Sequence, residues 1–394
     1  MTLEIEQKHI QLIDKILAEY DYSFFAFGSR VKGQCKKFSD LDLFYFEEIL
    51  NIDLLRLEES FEESDLPFKV DIVCFKKCDQ DFQAVMLQDY ICIKASSRLR
   101  MVEQNHLGHF EYFPKSLGFD VSEINGVAVI NCGLKTSMFN IAYGVYYISL
   151  KNCFLKIASA SRAHLSSISL AALAIYFQTQ FSKSNSPNIG SIPSDLTNVI
   201  DQIKQVYKGQ PFAWWIPPSE HNSSLTKALI AQGFVVETVE HAMICDIKDS
   251  ISFAQKTDLV IKLVTKTSLL QDFISVLEPY DPHVSAFYGR MNETLLNRNE
   301  KLVVGYADGK PVSIGILFVS GDSAGIFSLI TSKDSQKKGY GTDIMLFSMK
   351  LAQDHGCKSV TLSASSDSGY RIYERLGFAK VGEFGCFEYQ GGQT

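Results

Sequence analysis

Residues 327–378 constrain this chain more than any other stretch. Phe327-Ser328-Leu329-Ile330-Thr331 reads as an apolar strand. It leads through Ser332-Lys333-Asp334-Ser335 into Gln336-Lys337-Lys338-Gly339-Tyr340-Gly341. A helical run follows to about Gln353, then a short strand at Ser359–Leu362, then Tyr373-Glu374-Arg375-Leu376-Gly377-Phe378. A strand that enters a glycine turn and then a helix aims backbone N–H groups and a helix dipole at one point, which suits a pyrophosphate. Gly339 and Gly341 are required there because a Cβ would block close approach. Lys337 and Lys338 add positive charge beside the same turn.

The remainder of the C-terminal third predicts an α/β order around that turn. Strands are expected at 259–264, 301–306, 312–318 and 325–331, with a hairpin turn at Asp308-Gly309. Helices are expected at 268–277, 283–297, 340–354 and 368–376. The Gln-x-x-Gly-x-Gly segment followed by Tyr-x-x-x-Gly-Phe resembles the Gcn5-related N-acetyltransferase (GNAT) superfamily. The resemblance implies that Gln336, Lys337, Lys338, Gly339, Tyr340 and Gly341 hold acetyl-CoA. It also implies that Tyr373 protonates the departing thiolate. Gln336 stands where arginine is more frequent in the family. The strand that often supplies a glutamate base in such proteins, here Ala324–Leu329, has no acid. Ser328, Glu374 and His283 are the alternatives, and the sequence does not separate them.

A second constellation lies near the N-terminus. Strands are expected at 22–27, 41–46 and 68–75, and helices at 3–20, 53–63 and 79–93. Asp40 and Asp42, two apart on a strand, point to one face, and Asp71 on a neighbouring strand can join them. Three converging carboxylates are hard oxygen ligands of the kind Mg²⁺ takes. Gly28 lets the backbone approach a phosphate, and Ser29 can donate to it. The pattern Gly-Ser-Arg-x₂-Gly-x₅-Ser-Asp-x-Asp-Leu with a later Val-Asp-Ile-Val resembles the minimal nucleotidyltransferases of the polymerase-β superfamily. That resemblance implies a catalytic, metal-binding trio of Asp40, Asp42 and Asp71, with ATP or another nucleoside triphosphate at Gly28 and Ser29.

The middle of the chain is less explicit. Arg98–Arg100 and Gln104–His109 read as a polar connector. His106 and His109 lie three apart without a known ligand spacing, which argues against metal. Residues 150–178 are expected to be largely helical, with Ser166–Phe177 a buried helix too short to span a bilayer. Lys183–Ser194 is expected to be an exposed loop, and Ser194 a cap for a helix to Tyr207. Strand 212–216, helix 223–232, Gly233-Phe234 and strand 235–247 repeat the order seen at 359–389. With Phe139-Asn140 and Trp214-Trp215-Ile216-Pro217-Pro218, this region is similar to the first half of tandem GNAT proteins, here without a glycine-rich phosphate turn. Trp214 and Trp215 are expected to serve the core, the alternative being a cleft wall.

The expected architecture is therefore α/β (α+β), with a nucleotidyltransferase domain at 1–98, a degenerate GNAT-like domain at 99–250 and an acetyl-CoA-binding GNAT domain at 251–394. The net charge of −7 argues against non-specific nucleic-acid binding. Nine cysteines, an odd number spread singly, fit reduced thiols in the cytoplasm. The N-terminus has no signal-peptide core, and no membrane attachment is expected. The two resemblances imply a bifunctional transferase whose acetyl acceptor is an amine: an amino sugar, a polyamine or a protein lysine. The nucleotidyltransferase would act on a small-molecule or protein hydroxyl, with a partner protein possible. A non-catalytic sensing or toxin–antitoxin-type interaction protein is the competing class.

Overall fold

The structure is a computed structural model that describes residues 3–36, 38–144, 196–221, 223–247, 253–296 and 298–391. The first unit runs α1 (Gln7–Ala18), β1 (Phe24–Phe27), the one-turn α2 (Ser29–Lys32), β2 (Leu41–Tyr45), α3 (Asn51–Glu62), β3 (Val70–Cys74), α4 (Gln80–Gln88) and β4 (Tyr90–Lys94). Its four strands lie in the order β3-β2-β1-β4, with β2 and β3 parallel and the other pairs antiparallel. Period-2 alternation divides the side chains. Phe24, Ala26, Leu41, Leu43 and Tyr45 pack on α1 and α3, while Phe25, Phe27, Phe44 and Phe46 join the core of the rest of the molecule.

The expected helix over 79–93 ends early. Asp89 is extended, and Tyr90–Lys94 becomes β4, paired antiparallel with β1. Without β4, one edge of β1 would leave its N–H and C=O groups unpaired, a cost the helical periodicity of 79–88 does not reveal.

The expected polar connector is a helix, α5 (Ser97–Ser116). Ser96 caps it, its hydroxyl accepting from the Leu99 N–H at 3.1 Å and donating to Glu47 Oε1 at 2.8 Å. Such a cap contributes about 1 kcal/mol. Asn105 and His106 on α5 are almost wholly buried, because the helix packs across one face of the second sheet.

That sheet begins with β5 (Asp120–Ile124), β6 (Val127–Asn131) and β7 (Asn140–Tyr143). The expectations over 150–178 and 183–194 fall outside the described residues. The chain resumes with α6 (Leu196–Tyr207), β8 (Phe212–Ile216), α7 (Ser223–Ala231) and β9 (Val235–Asp246). The last third gives β10 (Val260–Leu263), α8 (Thr267–Leu277), α9 (Val284–Tyr288), β11 (Glu300–Ala307), β12 (Lys310–Ser320), β13 (Ser323–Thr331), α10 (Tyr340–Asp354), β14 (Ser359–Ala364), α11 (Asp367–Arg375) and β15 (Ala379–Tyr389). The helix expected over 283–297 is only α9, because the chain turns at Gly289 and continues in short turns.

Strands β5 to β15 form one 11-stranded sheet in the order β10-β11-β12-β13-β14-β9-β15-β8-β7-β6-β5. The order contains an exchange. Each half has one parallel pair, β7 with β8 and β13 with β14. The last strand of the first half, β9, then pairs with β14, and the last strand of the second half, β15, pairs with β8. At the centre β9 and β15 pair with each other, from Ala379↔Ile244 to Glu388↔Val235. Each half thus completes the other, and the halves share a core. The apolar faces of β12, β13, β15 and β6 meet α5, α8 and α9 in one cluster. Helices α10 and α11 cover the opposite face of the second half.

Candidate active sites

In the first unit the backbone conformation at Gly28 and the strand registers set the site. Gly28, between β1 and α2, has φ +79 and ψ −153. A Cβ there would also lie 2.4 Å from Asp42 Oδ2, so glycine is needed both for the conformation and for the approach. Register places Phe27 opposite Asp42 and Asp42 beside Asp71. Asp40 is exposed, and Ser29, Asp42 and Asp71 are half-buried. Burial raises the Asp42 carboxyl above its ordinary value; Asp71 and Asp40 push the same way, and Arg30 opposes them. This is a local excess of negative charge that a cation would relieve. Lys69 Nζ meets Asp71 Oδ1 at 2.5 Å and is the counter-charge nearest to hand. Among the described residues no three His, Cys, Asp or Glu side chains are gathered closely enough to form a ready metal cluster. The all-oxygen donor set and the mutual repulsion nonetheless fit a hard divalent ion.

Arg30 belongs to this site in a way its motif position does not reveal. Its guanidinium donates to Ser39 O at 2.9 and 2.5 Å and to Glu4 O at 2.7 Å, and lies over the Phe68 ring at 3.8 Å. It therefore fixes the end of the loop that delivers Asp40.

In the second unit β13 and β14 pair only from Ser323↔Ser359 to Gly325↔Thr361 and then diverge. A bulge in β13 widens the gap. Its pairing with β12 slips between Ile330 and Phe327, and Ser328 takes φ +48. Both α10 and α11 follow the C-terminal ends of these parallel strands, so both start at the open end of the split. Lys337 has φ +61, and Gly339 has φ +91 and caps α10 without a side-chain cap bond. The first N–H groups of α10 therefore have no intrahelical acceptor. Lys337 and Lys338 are exposed, and Tyr340 is half-buried. Gln336 Nε2 donates to Thr331 O at 3.1 Å and bridges the turn. A strap at 256–257 supports it from behind: buried Asp343 accepts from Lys256 N at 2.8 Å and Thr257 N at 2.9 Å. A Cβ on Gly339 would lie 3.1 Å from Thr257 Cγ2.

Tyr373 sits on α11, packed on the core that includes Leu362, Ala364 and Phe378. Burial, then the charge of Glu240, raises its hydroxyl above the ordinary value. It stays protonated at neutral pH.

The three alternatives for a base separate by position. Glu374 is exposed and faces Lys76 of the first unit at 3.5 Å. His283 precedes α9 as its half-buried N-cap. Ser328 lines a cavity of about 140 Å³ between α5, the first half and α9. A residue weighed in the sequence only as a metal ligand lines the same cavity: His109 of α5. Its Nδ1 lies 2.5 Å from Glu300 Oε1, and its ring stacks on Phe327 at 4.0 Å and 3°. Glu300 is fully buried, and burial raises its carboxyl above the usual range, opposed by His109. The only sequence trace of this pair is the i, i+3 spacing of His106 and His109. Trp214 is fully buried, its Nε1 donating to Gly144 O at 2.9 Å, and Trp215 packs on His106 and Phe110.

The two units are held together closely. Tyr90 of β4 stacks on His221 at 3.9 Å, and Arg98 Nη1 meets Asp246 Oδ2 at 2.6 Å. Lys380 of β15 lies buried over Phe46 and Phe75 while bonding Glu383 Oε1 at 2.6 Å.

Residues 11–99 match the family "Polymerase beta, Nucleotidyltransferase" and residues 267–378 match the "Acetyltransferase (GNAT) family". A probable protein adenylyltransferase MntA of Haemophilus influenzae is 39% identical over 101 residues, covering 24% of this chain and 88% of that protein. The chain joins a polymerase-β nucleotidyltransferase domain to a GNAT acetyltransferase. It is thus an enzyme built from two transferase domains. Among solved structures, a GCN5-related N-acetyltransferase from Kribbella flavida is similar at 11% identity and TM-score 0.48, covering 75% of this chain and 96% of that one. A functionally unknown conserved protein from Staphylococcus epidermidis is similar at 13% identity and TM-score 0.44, covering 70% and 96%. Among the described residues no helix is long and apolar enough to cross a membrane.

Proposed function

We propose that the second unit transfers an acetyl group from acetyl-CoA to an amine. We propose that the first unit transfers a nucleoside monophosphate from ATP or another triphosphate to a hydroxyl. The observation that carries the first assignment is the uncapped, positive-φ turn at Gly339, opening beside the split of β13 and β14 with Tyr373 on the next helix. In this reading the N–H groups of Lys338, Gly339, Tyr340 and Gly341 receive the pyrophosphate, and Lys337 and Lys338 supplement them. Gln336 holds the turn in shape, and Tyr373 returns a proton to the thiolate.

The nucleotidyltransferase assignment is supported by the Asp40, Asp42 and Asp71 edge beside Gly28 and Ser29. Those carboxylates would hold Mg²⁺, which when bound supplies positive charge to the triphosphate and its leaving pyrophosphate. Ser29 and the Gly28 backbone orient the phosphates. The MntA relative carries the words "protein adenylyltransferase", which favours a protein hydroxyl as acceptor.

Calorimetry with acetyl-CoA and label transfer from α-labelled ATP test the two halves of the proposal. Tyr373→Phe is expected to lower acetyl transfer by about a hundredfold with acetyl-CoA binding retained; full activity in that variant removes the acid role. Asp40→Ala/Asp42→Ala is expected to abolish label transfer, and unchanged transfer would sink the metal-site assignment.

A further inference from the structure

We infer that His109, oriented by Glu300, takes the proton in acetyl transfer, and that the acceptor amine is carried on a small apolar body seated in the cavity beside it. The inference rests on the acetyl-CoA reading above.

The orientation of the imidazole is determined by its partner. With Nδ1 bonded to the Glu300 carboxylate, the ring proton sits on Nδ1 and Nε2 is left as the acceptor. No other hydrogen bond engages this ring among the described residues. Its place follows from the stack on Phe327, the residue before the Ser328 bulge. His109 thus packs on β13 two residues beyond its last pairing with β14, and β13 itself offers no carboxylate. It comes from outside the stretch that matches the acetyltransferase family, on a helix between the two domains.

Glu300 strengthens the case. It is fully buried, and its Oε2 has no hydrogen-bond partner. Burying a carboxylate costs several kcal/mol, and an apolar residue of similar volume would serve the core at least as well. A positioning role for the histidine gives the expensive group a reason to be there.

The cavity identifies the acceptor class. Its walls come from α5, the first half, α8, α9 and β13, and include Phe110, Phe113, Phe139, Ile141 and Phe287. Among the described residues the polar ones on it are His109, Ser328 and Tyr288, and none of them is a carboxylate. At about 140 Å³ it is close to the size of the roughly 150 Å³ cavities that hold one benzene ring. Against these described residues a polycation would find no counter-charges, and the hydroxyls of an amino sugar would find few partners. An arylalkyl amine places its ring among the phenylalanines and its nitrogen at His109 and Ser328.

The step balances. The nitrogen lone pair attacks the acetyl carbonyl carbon, the C–N bond forms and the C–S bond breaks. His109 Nε2 accepts the proton the nitrogen loses, and Tyr373 donates one to the sulfur. Solvent then returns the imidazolium proton to the tyrosinate. The titratable groups facing His109 are Glu300 from β11, His106 from α5 and Tyr288 from α9; β13, β6 and β7 contribute none to the cavity.

The test uses the full chain, labelled acetyl-CoA, 2-phenylethylamine and spermidine. The expected result is a kcat/KM at least about tenfold higher for 2-phenylethylamine. In the presence of CoA, calorimetry should show that amine binding and spermidine not. The wild-type kcat profile, read at saturating amine, should fall on its acid side. His109→Gln should lower kcat by about a hundredfold and remove that fall, with acetyl-CoA Kd unchanged. Glu300→Gln should lower kcat about tenfold and move the acid limb, with amine KM unchanged. Wild-type kcat in His109→Gln, or a wild-type profile without an acid limb, overturns the base. Preference for spermidine overturns the acceptor class. Both leave the acetyl-CoA reading standing if calorimetry still detects acetyl-CoA. A wild-type chain that binds no acetyl-CoA removes that reading and the inference with it.

Discussion

The two halves of the 11-stranded sheet start from one plan and end with different tasks. Each has a parallel strand pair followed by a strand given to the other half. In the second half residues 332–339 separate β13 from α10 and contain the glycine turn, whereas in the first half residues 144–195 separate β7 from α6. The first half instead contributes Ile130, Met138, Phe139 and Ile141 to the cavity beside Ser328. The difference teaches that two halves built on one plan can lend different parts to one molecule, a glycine turn from one and a cavity wall from the other.

The sharpest way to break this comparison is to change a positive-φ glycine in each half. Gly339→Val places a branched side chain at φ +91 and against Thr257. Acetyl-CoA affinity is expected to fall more than about a hundredfold, since both the turn and the N–H array are lost. Gly144, at φ +99 at the end of β7, stands beside Glu220 instead. Gly144→Ala is expected to cost about 1–2 kcal/mol in denaturant unfolding while leaving acetyl-CoA Kd unchanged. Equal losses of affinity in both variants would mean that the halves are not divided in this way.

A smaller effect sharpens the division from the other side. Phe139→Ala opens the cavity wall, where Phe139 stacks on Phe287 at 4.1 Å. It should raise the KM for 2-phenylethylamine about tenfold and cost roughly 3 kcal/mol of stability, with acetyl-CoA Kd unaffected.

The smallest effect concerns the helix that spans both halves. Asn105 ties α5 to the second half through Ser323 and Thr361, whereas Glu103 ties it to Ser219 beside the first half. Burial pushes the Glu103 carboxyl from its ordinary 4.5 up to about 7; the Ser219 N–H and hydroxyl oppose this and Glu220 adds to it. The folded chain therefore binds this proton more tightly than the unfolded chain. Its contribution to stability is complete below about pH 4.5 and declines as pH rises towards 7. Glu103→Gln should melt a few degrees (about 2 °C) above wild type at pH 8 and no higher at pH 4. An identical shift at both pH values would place the effect elsewhere.

Local chemistry was legible in the sequence. Gly28 and Gly339 stand where the backbone has positive φ, and Asp42 and Asp71 are neighbours on adjoining strands, whereas Asp40, expected on the same strand as Asp42, lies in the loop just before β2. Those features depend on neighbours a few residues away or on period-2 alternation. The helix expected over 340–354 has those bounds because its glycine start and apolar stripe are local too. The misread segments depend on distant partners. Tyr90–Lys94 is a strand because β1 needs an edge partner, and the histidine-rich stretch of α5 looked like solvent-facing polarity. Its side chains are buried because Ser323, Thr361 and Glu300 wait for them roughly two hundred residues further along.

By itself the sequence determined two glycine turns and the acids or lysines beside them, because turn conformations and strand faces are set by residues adjacent in the chain. Only the tertiary structure decided that β9 and β15 change places, that α5 lies across the joined sheet, and that His109 reaches Glu300 and shares a cavity with Ser328. Polar groups find their partners across the fold, and nothing in the spacing of one segment says which distant carboxylate will be buried against it.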